Sequence, residues 1–189
     1  LRVLRAAAER FGFGVEVREY PFGTGHWLRS QELIPDAAFE EVKGAGAILL
    51  GAIGDARAPV GLLERGIIGR LRWDLDLYVN LRPVQLLDAR FCPLKGKGPY
   101  DVNMLVVREN TEDVYVQPAE FSQPGTADEV ATQPMRYTRK GTERIIRYAF
   151  EAARARPRKL LTLVDKANAV RAQDLYTRVF AEVGKEYPD

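Results

Sequence analysis

The sequence predicts an α/β fold. Three observations carry that expectation: short apolar runs of strand length, amphipathic stretches of helical length, and the alternation of the two along the chain. Leu1, Leu4, Ala7, Ala8 and Phe11 recur at helical spacing, so the chain opens inside a helix with no capping residue ahead of it. Residues 15–20 alternate like a strand. Residues 35–43 read as a short helix, with Pro35 and Asp36 at its start and Gly44 at its end. Residues 47–50 read as a buried strand. Residues 62–71 are apolar at helical spacing, interrupted by Gly66 and Gly69. Residues 102–108 form a second, stronger strand. Residues 138–153 are the clearest helix, because Ile145, Ile146, Ala149, Phe150 and Ala153 make one stripe. Pro157 separates that helix from a strand at residues 160–164, since proline cannot continue a helix. Residues 172–183 form a last helix, ending at Gly184.

One segment breaks the alternation. Residues 117–136 hold Pro118, Pro124, Gly125 and Pro134 with few apolar anchors, which on composition alone suits a surface loop.

Composition narrows the function classes. The chain has 189 residues, 46% hydrophobic and 29% charged, which argues for a folded core and against disorder. The net charge is +2, from 28 basic and 26 acidic residues, so nothing points to a nucleic-acid partner. No apolar run approaches the ~20 residues of a membrane span. The single cysteine, Cys92, cannot form an internal disulfide and suits a reducing cytoplasm. His26 is the only histidine, so a histidine-based metal cluster is excluded. Ser30 and Ser122 are the only serines and neither sits in a nucleophile elbow, which argues against a Ser-His-Asp triad. Gly44-Ala45-Gly46 and Gly96-Lys97-Gly98-Pro99 lack the spacing of a phosphate-binding loop and read as turns. Asp74-Leu75-Asp76 reads as surface or helix-packing carboxylates rather than a metal pair.

The informative residues are three arginines and a lysine. Arg72 ends Gly69-Arg70-Leu71-Arg72, Arg82 lies in Tyr78-Val79-Asn80-Leu81-Arg82-Pro83, and Arg108 closes Met104-Leu105-Val106-Val107. A guanidinium grips carboxylate or phosphate with two parallel hydrogen bonds, and a strand end is a good place to hold a small anion. A lone arginine is usually a solvated charge. Arg82 and Arg108 rise above that reading by their position beside apolar stretches, whereas Arg65 and Arg70 compete with Arg72. Lys166 directly follows the apolar residues 160–164, and can either snorkel to solvent or accept a proton in a cationic cleft that lowers its pKa. Tyr115 follows Arg108 by seven residues and is by default a packed aromatic with a surface hydroxyl.

Asn80-Leu81-Arg82-Pro83, the stretch from Val107 through Arg108-Glu109-Asn110-Thr111-Glu112-Asp113-Val114 to Tyr115, and Val164-Asp165-Lys166-Ala167-Asn168 together resemble the β-decarboxylating dehydrogenases. The resemblance runs over nearly the whole chain, with the motifs in family order. It implies an isopropylmalate dehydrogenase-like two-domain α/β fold, incomplete here. Residues 1–77 would be the N-terminal part of the first domain. Residues 78–189 would be a central dimerisation domain, with residues 117–136 as an arm crossing to a second subunit. The family's opening glycine-rich stretch, its metal-binding aspartates and most of its cofactor pocket have no counterpart in this sequence, so the chain is expected to be a piece of a longer enzyme.

The resemblance also assigns roles. Arg72, Arg82 and Arg108 would hold the carboxylates of a 2-hydroxy dicarboxylic acid. Tyr115 and Lys166 would be catalytic, Asn168 would lie near the cofactor, and the homodimer would bring the lysine into the neighbouring subunit's site. The reaction would use NAD and Mg²⁺ or Mn²⁺: oxidation to a ketone, loss of carbon dioxide, then protonation by Tyr115. Ile67 and Ile68 fall where the family reads the variable side group, and apolar residues there suit 3-isopropylmalate. Asn110-Thr111-Glu112-Asp113 instead resembles the isocitrate side of the family, and tartrate or malate remain alternatives, as does a noncatalytic subunit.

Overall fold

The computed structural model describes residues 1–189, which divide into two compact units, Leu1–Arg70 and Leu71–Asp189.

The first unit is built from α1 (Arg2–Phe11), α2 (Thr24–Ser30), α3 (Asp36–Lys43) and a π-helical segment Glu64–Gly69 that runs into α4 (Arg70–Asp74). Ile34, Phe39, Leu63 and Ile67 are its buried apolar residues. Gly66 is needed in the π segment because the Leu33 side chain occupies the place a Cβ would take. Arg70 donates to the Ile34 carbonyl and to Asp36, with its guanidinium 4.3 Å from the Phe39 ring centre.

Two strands expected in this unit do not form. Residues 15–20 and 47–50 have no ladder partner and are irregular. The second was expected to be buried, yet Leu49 is 71% exposed. Apolar patterning marks a chain that could enter a sheet, but a strand exists only where another strand satisfies its backbone groups. The same reason removes the strand expected at residues 160–164, where Leu160 and Val164 are exposed.

The second unit opens with the rest of α4 and continues through β1 (Val79–Gln85), β2 (Asn103–Glu109), β3 (Glu120–Ser122), β4 (Val130–Thr132), α5 (Arg139–Arg154) and α6 (Asp174–Gly184), with 3₁₀ turns at Ala89–Phe91, Asp113–Tyr115 and Arg171–Gln173. Strand β2 and helices α5 and α6 fall where the sequence predicts them. Strand β1 escapes the pattern because Pro83 sits inside it. It pairs antiparallel with β2 alone, Asn80 facing Arg108 and Pro83 facing Leu105. A two-stranded ribbon has an open edge on each strand, which is where proline is tolerated.

Helix α5 is capped by Thr138, which the sequence places inside the helix: its hydroxyl accepts from the Gly141 amide at 3.0 Å. Its stripe contributes Ile145 and Ile146 to a core with Val179 and Val183 of α6, against which Tyr78, Val79, Val107 and Phe150 pack. The core fixes which face of the ribbon is inward. Val79 and Val107 point to the helices, so their neighbours Asn80 and Arg108, and Arg82 two residues on from Asn80, point the other way.

Residues 117–136 carry the β3–β4 hairpin, paired Glu120 to Thr132 through Ser122 to Val130. The expected loop therefore has strands within it. Both are exposed along their whole length, which is why hydrophobic periodicity gave no sign of them. No helix of the structure is long and apolar enough to cross a membrane.

Candidate active site

The site is assembled from α4, the outward face of β1–β2, and the turn after β2. Helix α4 carries Arg72 and ends in a Schellman arrangement. The Leu77 amide donates to the Arg72 carbonyl at 2.9 Å and the Asp76 amide to the Trp73 carbonyl at 3.1 Å. Asp76 takes the left-handed position, φ 48°, where glycine is commoner. Its carboxylate accepts from Arg144 of α5 at 2.6 Å, and that bond holds its pKa below the usual carboxylate value. The carboxylates suggested by Asp74-Leu75-Asp76 are thus helix-end structure where Asp76 is concerned.

Asn80 and Asn110 frame the next arginine. The Asn110 side chain donates to the Leu77 carbonyl at 2.9 Å, and its amide N–H to the Tyr78 carbonyl at 3.0 Å. Asn80 Nδ2 donates to Asn110 Oδ1 at 3.1 Å, and Asn80 Oδ1 accepts from Arg82 Nε at 3.0 Å. Sequence reasoning passed over Asn80 as a site residue. The available signal was an asparagine inside a strand, a residue type that strands disfavour.

Arg108, opposite Asn80 in the ladder, lays its guanidinium 4.7 Å from the centre of the Tyr115 ring. The intervening turn is tied down by Glu109, whose nearly buried carboxylate accepts from the Thr111 amide, the Thr111 hydroxyl at 2.6 Å and the Glu112 amide at 2.6 Å.

Arg72, Arg82, Arg108 and Tyr115 therefore converge. Burial, then the charge of Arg108 and more weakly that of Arg82, push the Arg72 pKa down, with Tyr115 and Glu109 acting the other way. Every ion pair of Arg144, Arg147 and Arg154 has a carboxylate partner, but none of the three converging arginines has one. Unpaired cations gathered on one face create a site that a small anion with more than one carboxylate would neutralise.

Lys166 and Asn168 lie elsewhere in the same unit, on an exposed turn after residues 160–164. The Lys166 ammonium makes no ion pair, and its backbone amide donates to Gln173 Oε1 at 2.6 Å. Within one chain the structure does not bring Lys166 to the arginines. In the first unit, Ile67 is buried in the core and Ile68 is partly exposed, which leaves Ile68 as the one of the pair able to meet a ligand. No group of three His, Cys, Asp or Glu side chains could hold a metal ion. The donors of this chain do not fit a divalent cation.

Three arginines gathered beside a tyrosine ring are an arrangement suited to a small acid with more than one carboxylate. The chain belongs to the isocitrate/isopropylmalate dehydrogenase family, whose model matches residues 1–189. It is 48% identical over 189 residues to a 3-isopropylmalate dehydrogenase of Thermobifida fusca, covering 100% of this chain and 53% of that protein. A 3-isopropylmalate dehydrogenase of Streptomyces griseus is 44% identical, over 100% of this chain and 54% of the relative. Among solved structures, isocitrate dehydrogenase from Methylococcus capsulatus superposes with a TM-score of 0.83 at 32% identity, covering 100% of this chain and 53% of that one. A β-decarboxylating dehydrogenase from Thermococcus kodakarensis gives a TM-score of 0.65 at 30% identity, over 98% and 49% of the two chains. The chain spans about half the length of the curated relatives it matches.

Proposed function

We propose that the whole protein carries out NAD-dependent oxidative decarboxylation of 3-isopropylmalate, and that this chain contributes the substrate grip and the proton-handling side chains. The observation that carries the reading is the gathering of Arg72, Arg82 and Arg108, unpaired, beside Tyr115. The arginines hold the two carboxylates of the substrate and fix its orientation. NAD would supply the hydride acceptor. Lys166 accepts the hydroxyl proton, and Tyr115, half exposed, returns a proton to the carbon left by carbon dioxide. Asn168 lies on the Lys166 turn and faces the cofactor. The lysine reaches the arginines from a second copy, so the working unit is a homodimer, with the β3–β4 hairpin as its crossing arm. The second unit is the dimerisation domain and the first is part of the cofactor domain. Mg²⁺ or Mn²⁺ is held by residues outside this chain. The free thiol of Cys92 suits a cytoplasmic protein.

Specificity favours the alkyl substrate. Ile68 offers no partner for a third carboxylate. The residues that resemble the isocitrate side are engaged structurally: Glu112 accepts from Thr138, and Asp113 from Tyr137. The test is the steady-state rate of the full-length protein on 3-isopropylmalate, isocitrate, tartrate and malate with NAD and Mg²⁺. A higher kcat/KM for 3-isopropylmalate is expected. Preference for isocitrate would reassign the substrate, and no turnover of any of the four would leave a noncatalytic subunit.

A further inference from the structure

Between the Tyr115 turn and the Lys166 turn runs a continuous line of hydrogen bonds. The Lys166 amide N–H donates to Gln173 Oε1 at 2.6 Å. Gln173 Nε2 donates to the Tyr137 hydroxyl at 3.2 Å. The Tyr137 hydroxyl donates to Asp113 Oδ1 at 2.7 Å. The direction of the line is fixed by its ends. A backbone N–H can only donate, so the Gln173 amide must present its oxygen to Lys166 and its nitrogen to Tyr137. A carboxylate can only accept, so the hydroxyl must give its hydrogen to Asp113.

Each end is a place that needs holding. Asp113 opens the 3₁₀ turn that carries Tyr115, and stands at φ 74°, a conformation that costs energy for any side chain. Its amide donates to the Arg136 carbonyl at 3.0 Å, so backbone and carboxylate together keep the turn in place. The Lys166 turn is exposed and borders residues that form no ladder; it is closed by the Ala169 and Val170 amides donating to the Lys166 carbonyl, and Asp165 accepts from Thr177 of α6. The middle of the line is better anchored. Tyr137 stacks edge-on against Tyr176 of α6, ring centres 5.6 Å apart, and Gln173 sits in the 3₁₀ turn that leads into the same helix.

We propose that Gln173 and Tyr137 are positioning residues that hold the Tyr115 and Lys166 turns in fixed relation through this line of hydrogen bonds. Neither touches the reacting atoms. The roles of Tyr115 and Lys166 themselves rest on the function proposed above, whereas the mechanical link does not. Bonds in such a line polarise one another, so cutting the middle weakens both ends.

The link is tested on the 189-residue chain by amide hydrogen exchange, residue by residue, in Tyr137→Phe and Gln173→Glu. Phenylalanine keeps the ring contact with Tyr176 and removes the hydroxyl. Glutamate still accepts from the Lys166 amide but cannot donate to Tyr137. Tyr137→Phe should speed exchange at Lys166, two bonds away, by about fivefold, the equivalent of one lost net hydrogen bond. Gln173→Glu should do the same at Asp113. Helix α5 amides, with protection unchanged, control for general unfolding. Exchange at the far turn equal to the parent's in both variants overturns the link. In the full-length protein, both variants should lower kcat with KM for the acid unchanged, since the arginine face is untouched. A loss confined to KM overturns the positioning role. A parent without turnover would count against the proposed function and leave the exchange result standing.

Discussion

Arg108 does two things that lysine cannot. It offers a planar fork to a carboxylate and a flat cation to the Tyr115 ring, 4.7 Å away. Arg108→Lys in the full-length protein should therefore lower kcat/KM about tenfold or more, with each decade equal to ~1.4 kcal/mol. Kinetics matching the parent would remove Arg108 from the site. Asp76 supports a prediction about pH. Its bond to Arg144 lowers its folded pKa, so its contribution to stability is complete above the unfolded aspartate value of about 3.9 and disappears as pH falls through the lower folded value. Asparagine tolerates the same left-handed backbone and removes only the charge. Asp76→Asn should lower the urea midpoint at neutral pH, and the difference should close in strong acid. A gap that persists there would show that charge is not what Asp76 contributes. Arg82 stood out as a candidate anion ligand by its place beside an apolar stretch, and Arg72 only through the family resemblance. Asp76 and Asn80 did not stand out, because their importance lies in partners 68 and 30 residues away in sequence.

Helix α5 shows how local signals and long-range contacts combine. The helix itself was legible from its apolar stripe, and Thr138 proves to be its cap. The second bond of Thr138 was not legible: the hydroxyl donates to Glu112 Oε1 at 2.5 Å, and Gly141 leaves the room that the Glu112 carboxylate needs. Thr138→Ala breaks both bonds and should cost about 1–2 kcal/mol of stability. A melting temperature within error of the parent's would mean that the bond from the Thr138 N–H to the Glu112 carboxylate alone suffices. Most of the helices were readable because a helix satisfies its own backbone, although the short α2 went unseen. The strands were not, because the pattern at residues 15–20, 47–50 and 160–164 marks only a capacity to pair. The strand that did form unseen, β1, needed β2 to exist and concealed itself behind Pro83.

Taken whole, the chain carries Arg72, Arg82 and Arg108 together and lacks a donor set for a divalent cation. The purified 189-residue protein should show no NAD-dependent oxidation of 3-isopropylmalate, isocitrate, tartrate or malate with Mg²⁺ or Mn²⁺ present. Turnover abolished by Lys166→Ala would mean that this half of a family-length chain suffices for catalysis. Family membership was legible because its motifs are short and contiguous. The division of the chain into Leu1–Arg70 and Leu71–Asp189 depends on contacts that no local window contains.

Three like charges gathered together, offset at Arg72 only in part by Glu109, also mean that the second unit carries electrostatic repulsion. Whatever neutralises the face relieves that repulsion, and by mass action the folded state then gains stability with the concentration of the neutralising species. Melting behaviour becomes a gauge of occupancy that needs no chemistry at all. Sulfate should raise the melting temperature of this chain more than chloride at matched ionic strength, and Arg82→Ala, which sheds part of the repulsion, should narrow the gap between the two salts.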